Sequence, residues 1–333
     1  MNDIVSEALL GRDMFGEIVK PDIKGILKNR YLIPPFSVLS ARDGDWQTRK
    51  RQWIALGIQG ELGRGQVASG EDLPTGVEFS HHGKGYEYAE KYNVGLDTKT
   101  QKALGCYASG FGGSIERNTG GQVGTSIFDP VLCELMYSWF CPEGGQVIDP
   151  FAGGSVRGIV AAIMGYRYWG CDLSGKQIEA NREQALKICP DEIIRWVAGD
   201  AKEQLPKAPD ADYIFTCPPY GNLEVYSDDP ADLSTMAWPE FVKAYKDIIG
   251  LACAKLKPNR YACIVVGDFR DKQGDYRCFP SHTIRAFLDA GLKLYNEIIL
   301  VTSVGSLPIR ITKQFEAGQK VGKTHQNVLV FRK

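Results

Sequence analysis

Gln146-Val147-Ile148-Asp149-Pro150-Phe151-Ala152-Gly153-Gly154-Ser155 begins as a short β-rich run, ends that run on an acid, and turns through proline and paired glycines. A small-residue helix, Val156 to Met164, is expected to follow. Adjacent glycines at a tight strand-to-helix turn let the backbone approach a bulky ligand. The spacing is neither GxGxxG nor GxxxxGK[ST], so nicotinamide dinucleotides and nucleoside triphosphates fit poorly. Asp149, Phe151, Gly153 and Gly154 are the first candidate cofactor residues.

Downstream, the alternation continues. Strands are expected at Tyr166 to Cys171, Ile194 to Val197, Ala211 to Phe215, Tyr261 to Val266, Leu294 to Val301 and Asn327 to Phe331. Helices are expected at Lys176 to Leu186, Phe241 to Leu256 and Thr283 to Ala290. Strands alternating with helices of this length give an α/β fold, a parallel sheet covered on both faces. No helix is expected between the last two strands, which implies an antiparallel pair at one edge. Asp149, Asp172 and Asp200 end three successive strands, where an open α/β sheet binds its ligands. A carboxylate at Asp172 can accept from a ribose diol, and one at Asp200 from an adenine amino group.

Residues 1–124 lack this alternation, and the Gly-rich run Gly105 to Gly124 reads as a loop or hinge, so a boundary is placed near Gly124. Residues 1–124 form an N-terminal extension whose basic run Arg49-Lys50-Arg51, between Trp46 and Trp53, is the candidate nucleic-acid contact and makes the extension a candidate for DNA binding or target recognition; a solvated helix face with two packed tryptophans is the bland alternative. The formal net charge of −1 decides neither way. Nine cysteines without a CxxC pair or neighbouring histidines argue against zinc and against a secreted disulfide framework, so no metal is expected. No run is long and apolar enough for a membrane span, and Met1 to Lys20 lacks the apolar stretch of a signal peptide; the expected location is the cytoplasm.

After the fourth expected strand comes Thr216-Cys217-Pro218-Pro219-Tyr220-Gly221. Two prolines cannot continue a ladder and enforce a rigid extended turn, which presents carbonyls beside a fixed aromatic ring. That combination suits a planar base, with a carbonyl taking an exocyclic amino hydrogen and the ring lying on the base face.

At these residues the chain resembles the S-adenosylmethionine-dependent DNA amino-methyltransferases, which modify N6 of adenine or N4 of cytosine. Asp149 to Ser155 is similar to their DPFxGxG cofactor motif, and Cys217 to Tyr220 to their (D/N/S)PP(Y/F/W) catalytic motif. Thr125-Ser126-Ile127-Phe128-Asp129-Pro130 resembles the segment that closes over the methionine part of the cofactor. Val266-Gly267-Asp268 and His325 to Phe331 resemble strand segments of the same fold. Pro34 to Trp53 resembles a segment of phage-associated methylases. The resemblance spans about residues 123–333 and implies a Rossmann-like seven-stranded methyltransferase sheet over 125–333. It further implies S-adenosyl-L-methionine held by Ser126, Phe128, Asp149, Phe151, Gly153, Gly154, Asp172 and Asp200. Cys217, Pro218, Pro219 and Tyr220 would be the catalytic residues, acting on a base flipped from duplex DNA.

Cys217 departs from the family, because sulfur is a poor acceptor where Asp, Asn or Ser is usual. Either Cys217 replaces Ser by size and the Pro218 carbonyl polarises the amine, or its thiolate adds to C6 of cytosine for C5 methylation. Glu224 and Asp228 are candidate bases for the second route. An RNA methyltransferase and a degenerate fold kept for binding are the further alternatives. Arg310, Lys313, Lys320 and Lys323 are read as a basic hairpin near the C-terminus that tracks a DNA backbone or is ordinary solvated surface.

Overall fold

The computed structural model describes residues 31–59, 128–190, 194–221, 227, 229–305 and 307–333. In chain order its principal elements are β1 (Val38–Ser40), α1 (Gly44–Ala55), α2 (Pro130–Phe140), β2 (Gln146–Asp149), α3 (Val156–Ile163), β3 (Arg167–Asp172), α4 (Gly175–Ile188) and β4 (Ile194–Ala198). They continue with α5 (Ala201–Gln204), β5 (Ala211–Thr216), α6 (Trp238–Lys255), β6 (Leu256–Val266), α7 (Phe279–Asp289), β7 (Lys293–Val301), α8 (Leu307–Gly318) and β8 (His325–Arg332).

Among the described residues eight strands form one sheet in the order β1-β7-β8-β6-β5-β2-β3-β4. β8 runs antiparallel to both its neighbours, and the other pairs are parallel. This is the Rossmann-like α/β architecture expected from the sequence. From β2 the chain moves outward through β3 to β4, then returns to β5 on the other side of β2. The reversal opens a crevice at the carboxyl ends of β2 and β5, where such sheets bind ligands.

Two expectations about the sheet change. An eighth strand, β1, joins from the N-terminal extension, with Val38 opposite Ile299 and Ser40 opposite Val301. The terminal antiparallel pair does form, but β8 lies between β6 and β7 rather than at the edge, and α8 separates β7 from β8 in the chain.

Sequence accounts for the helices that set the crevice. Asp129 caps α2, its Oδ1 accepting from the amides of Val131 (3.0 Å) and Leu132 (3.4 Å), with Pro130 in the first turn. Ser174 caps α4 by accepting from Gln177 N at 3.2 Å. On α6, Phe241, Tyr245, Ile248, Ile249 and Ala252 are buried, the spacing of one helical face. The core has two layers: α1 to α4 pack on one face of the sheet, and α5 to α7 on the other.

Candidate active site

Asp149 ends β2 wholly buried, and its carboxylate is taken up inside the protein. Oδ2 accepts from Arg157 Nε (2.6 Å) and the Tyr168 hydroxyl (2.7 Å); Oδ1 accepts from Thr216 Oγ1 (2.6 Å) and Phe151 N (3.2 Å). Arg157 also donates to the carbonyls of Phe151 (2.6 Å) and Ala152 (2.9 Å). Burial works against the guanidinium charge, but Asp149 beside it prevails, so Arg157 stays protonated. Burial pushes the Tyr168 hydroxyl well above its ordinary pKa, keeping it a donor. Asp149 thus shapes the glycine turn from beneath and has no free face toward a cofactor.

The turn itself is pinned on the other side. Gly153 has a φ of +52°, its N–H donates to Asp172 Oδ2 (3.0 Å), and its carbonyl accepts from Asn181 Nδ2 (2.8 Å). Gly154 is half-buried, and Phe151 stacks on Tyr245 with ring centroids 6.1 Å apart. Asp172, half-buried at the end of β3, also accepts from Ser174 N at 2.9 Å through Oδ1. Asp200 follows β4 and accepts from Lys202 N at 2.8 Å while capping α5. Lys202 Nζ also lies 3.8 Å from Asp200 Oδ2. Below the turn, Gln177 Oε1 is buried without a hydrogen-bond partner among the described residues.

β5 delivers the second turn. Thr216 is buried and tied to Asp149; Cys217 is half-buried, Pro218 buried, and Pro219 and Tyr220 half-buried. The Tyr220 hydroxyl accepts from Gln326 Nε2 (3.0 Å) and bonds to the Gly267 backbone and to Cys217. Burial raises its pKa well above the ordinary value, so it stays protonated. The Tyr220 ring meets Phe269 and Phe279 edge-on at 6.3 and 6.2 Å. Gly221 follows with a φ of +56°, where a Cβ would come 3.1 Å from the Phe269 ring. It lines a cavity of about 220 Å³ with Trp238, Phe241 and Arg277.

The remaining sequence candidates divide. Phe128 is half-buried under the Arg157 guanidinium (4.5 Å to the ring centroid) and edge-on to Phe215 at 5.9 Å. Ser126, Glu224 and Asp228 lie outside the described residues. Arg49 and Lys50 face α2 rather than solvent. Arg49 pairs with Glu134 through both carboxylate oxygens, its Nε at 2.8 Å from Oε2, and Lys50 pairs with Asp129 at 3.2 Å. Trp53 Nε1 donates to Glu134 (2.8 Å) and Trp46 Nε1 to Asp129 (3.1 Å), both indoles being buried. Arg51 points outward, touching Thr48 Oγ1 at 3.1 Å. Among the described residues no cluster of three His, Cys, Asp or Glu side chains could hold a metal ion, and no helix is long and apolar enough to cross a membrane.

Arg157, Asn181 and Gln326 join the site without having been singled out by the sequence. Arg157 carried a usable signal, since a lone cation in the apolar helix VRGIVAAI is rarely buried without a partner.

No protein-family model matches the chain, and no curated protein matches it. Among solved structures it is similar to TrmN from Thermus thermophilus, at 21% identity over 62% of this chain and 49% of that one, with a TM-score of 0.44. The chain thus spans about half the length of TrmN. It is also similar to precorrin-6y C5,15-methyltransferase from Geobacter metallireducens GS-15 (13% identity, 65% of this chain, 93% of that chain, TM-score 0.41). A third is the TehB-like SAM-dependent methyltransferase from Corynebacterium glutamicum (17%, 74%, 99%, 0.40).

Proposed function

We propose that this protein is an S-adenosylmethionine-dependent methyltransferase acting on the exocyclic amino group of a base flipped from DNA, N4 of cytosine or N6 of adenine. The observation that carries the reading is the Thr216–Asp149 hydrogen bond of 2.6 Å at the switch point of the sheet. It joins the glycine turn after β2 to the Pro-Pro-Tyr turn after β5, so a cofactor turn and a base turn share one buried anchor. S-adenosylmethionine would supply a methyl group on a sulfonium. Asp172 ends β3 and Asp200 follows β4, and carboxylates at these strand ends can accept from a ribose diol and an adenine amine. The Gly153-Gly154 turn and Phe151 follow the carboxyl end of β2, and Phe128 packs on the Arg157 that braces this turn.

On the base side, Pro218 offers a carbonyl without an N–H, suited to accept an amino hydrogen. Tyr220, fixed by Gln326, offers an aromatic face. Cys217 lies within electrostatic reach of Arg157, but Asp149 already neutralises that guanidinium at 2.6 Å. The Pro218 carbonyl and the Tyr220 ring serve an amino substrate directly, which favours amino methylation over C5 methylation.

Incubating the protein with DNA and labelled S-adenosylmethionine, digesting to nucleosides and identifying the product by mass spectrometry tests the reading. N4-methylcytosine or N6-methyladenine is expected. 5-Methylcytosine would move the chemistry to Cys217, and label in RNA alone would overturn the DNA assignment.

A further inference from the structure

A second cavity, of about 360 Å³, opens between the segment after β6 and the segment joining α8 to β8. Three cations line it, Arg270, Lys320 and Lys323, against one carboxylate, Asp268. Asp268 Oδ1 already accepts from the amides of Phe269 (3.0 Å) and Phe279 (3.1 Å). On a chain of net charge −1 this is a local positive excess.

Among the described residues none of the three forms a salt bridge within 4.0 Å, although Asp268 faces Lys323 and partly offsets the burial that lowers its pKa. Arg270 Nη1 donates to the Gly274 carbonyl (2.8 Å), and its guanidinium lies 3.9 Å from the centroid of Tyr276. The Lys320 ammonium rests over Gly274, where a Cβ would come within 2.6 Å of Nζ. Lys323 Nζ is 3.2 Å from His325 Nε2. Tyr276 is 41% exposed, so one ring face carries Arg270 while much of the ring remains open.

The cavity also adjoins the Pro-Pro-Tyr turn. Phe269 lines it and meets the Tyr220 ring edge-on. At Gly267 a Cβ would lie 3.6 Å from Tyr220 Cε1 and 3.9 Å from Lys323 Cε, so both side chains use the space that this glycine leaves. Lysines set along a groove with an open aromatic ring are the chemistry of a polynucleotide strand, phosphates on the cations and a base on the ring.

We propose that this cleft holds the DNA strand next to the flipped nucleotide, with Lys320 and Lys323 on phosphates and Tyr276, backed by Arg270, under a neighbouring base. The proposal rests on DNA being the substrate. Its test is the binding of a fluorescent duplex to the full chain, read by anisotropy at several salt concentrations without cofactor. Replacing both lysines (Lys320→Ala with Lys323→Ala) should reduce the slope of log K against log[salt] by about 1.8, since each phosphate contact contributes about 0.9. The milder Lys320→Gln alone should reduce it by about half as much. Tyr276→Ala should weaken binding roughly five- to a hundredfold, and Tyr276→Phe should restore it. Lys187→Ala, on the exposed end of α4, should leave the slope unchanged.

Unchanged slope and affinity in Lys320→Gln and Tyr276→Ala, with parental melting curves, would overturn the cleft. So would losses confined to RNA. Methyl transfer to DNA with an unchanged slope would remove this proposal alone. A reduced slope without any methyl transfer would remove the functional reading and leave the cleft standing.

Discussion

Arg157 belongs to neither motif, yet it braces the carbonyls of Phe151 and Ala152 while neutralising Asp149. That division of labour bears on Cys217, whose thiol stands close to a cation that is already occupied. Cys217→Ser is expected to retain amino methylation within about tenfold in kcat/KM, a change of about 1.4 kcal/mol. The Pro218 carbonyl is untouched by that substitution, and a serine hydroxyl can take over the Cys217 contact with the Tyr220 hydroxyl. Loss of product below detection would instead identify Cys217 as a nucleophile. Methyl incorporation into duplex DNA under single-turnover conditions is the measurement.

At the scale of elements, α1 and α2 are joined by charges that the sequence offers equally well to a nucleic acid. Glu134 is 2% exposed and is held by Arg49 and Trp53. Arg49→Ala should therefore cost about 3–5 kcal/mol in urea unfolding, because it strands a buried carboxylate. The salt slope of DNA binding should not change. Arg51→Ala should stay within about 0.5 kcal/mol of the parent. Equal, small stability effects with a reduced salt slope would return Arg49 to the DNA-contact role. The sequence carried a Trp-x-x-Arg-Lys-Arg-x-Trp pattern but not the partner across the fold, and only the partner separates the two roles. Strands with buried runs, such as β2 and β5, were legible because their apolar content and bounding turns agree. β1 was not, since Val38–Ser40 is three residues long and is a strand by virtue of β7. α8 is not legible as a helix, because Pro308, Ile309, Ile311 and Thr312 depress helix propensity within it. The two site turns were legible as sequence, but the bond that connects them is between residues 67 apart in the chain.

Across the whole molecule the sheet has two dissimilar ends. Its carboxyl end holds the proposed chemistry, and at its amino end Asp212 fastens β2, β5 and β6 together. Asp212 accepts from Gln146 N (3.0 Å) and Lys257 Nζ (2.9 Å) and pairs with Arg260 (3.4 Å). Burial pushes its pKa up, but the Gln146 amide and the two cations outweigh this and hold it below the ordinary carboxylate value. A lowered folded pKa means that the stabilisation is complete above the unfolded value of about 3.9 and is lost as pH falls below it toward the folded value. Asp212→Asn should lower stability at neutral pH and flatten the acid limb of a stability–pH curve measured by urea unfolding. An acid limb as steep as that of the parent would show that other carboxylates govern it. The eighth strand carries a different consequence, one of timing. Arg42, just after β1, bonds to the Thr302 carbonyl 260 residues away, and β1 itself finds its ladder on β7. At a synthesis rate of roughly 5–20 residues per second, the first strand waits on the order of ten seconds or more for its partner. Ribosome-bound chains that stop short of β7 should therefore leave Val38 to Ser40 open to proteolysis, and the release of the last strands should close that window.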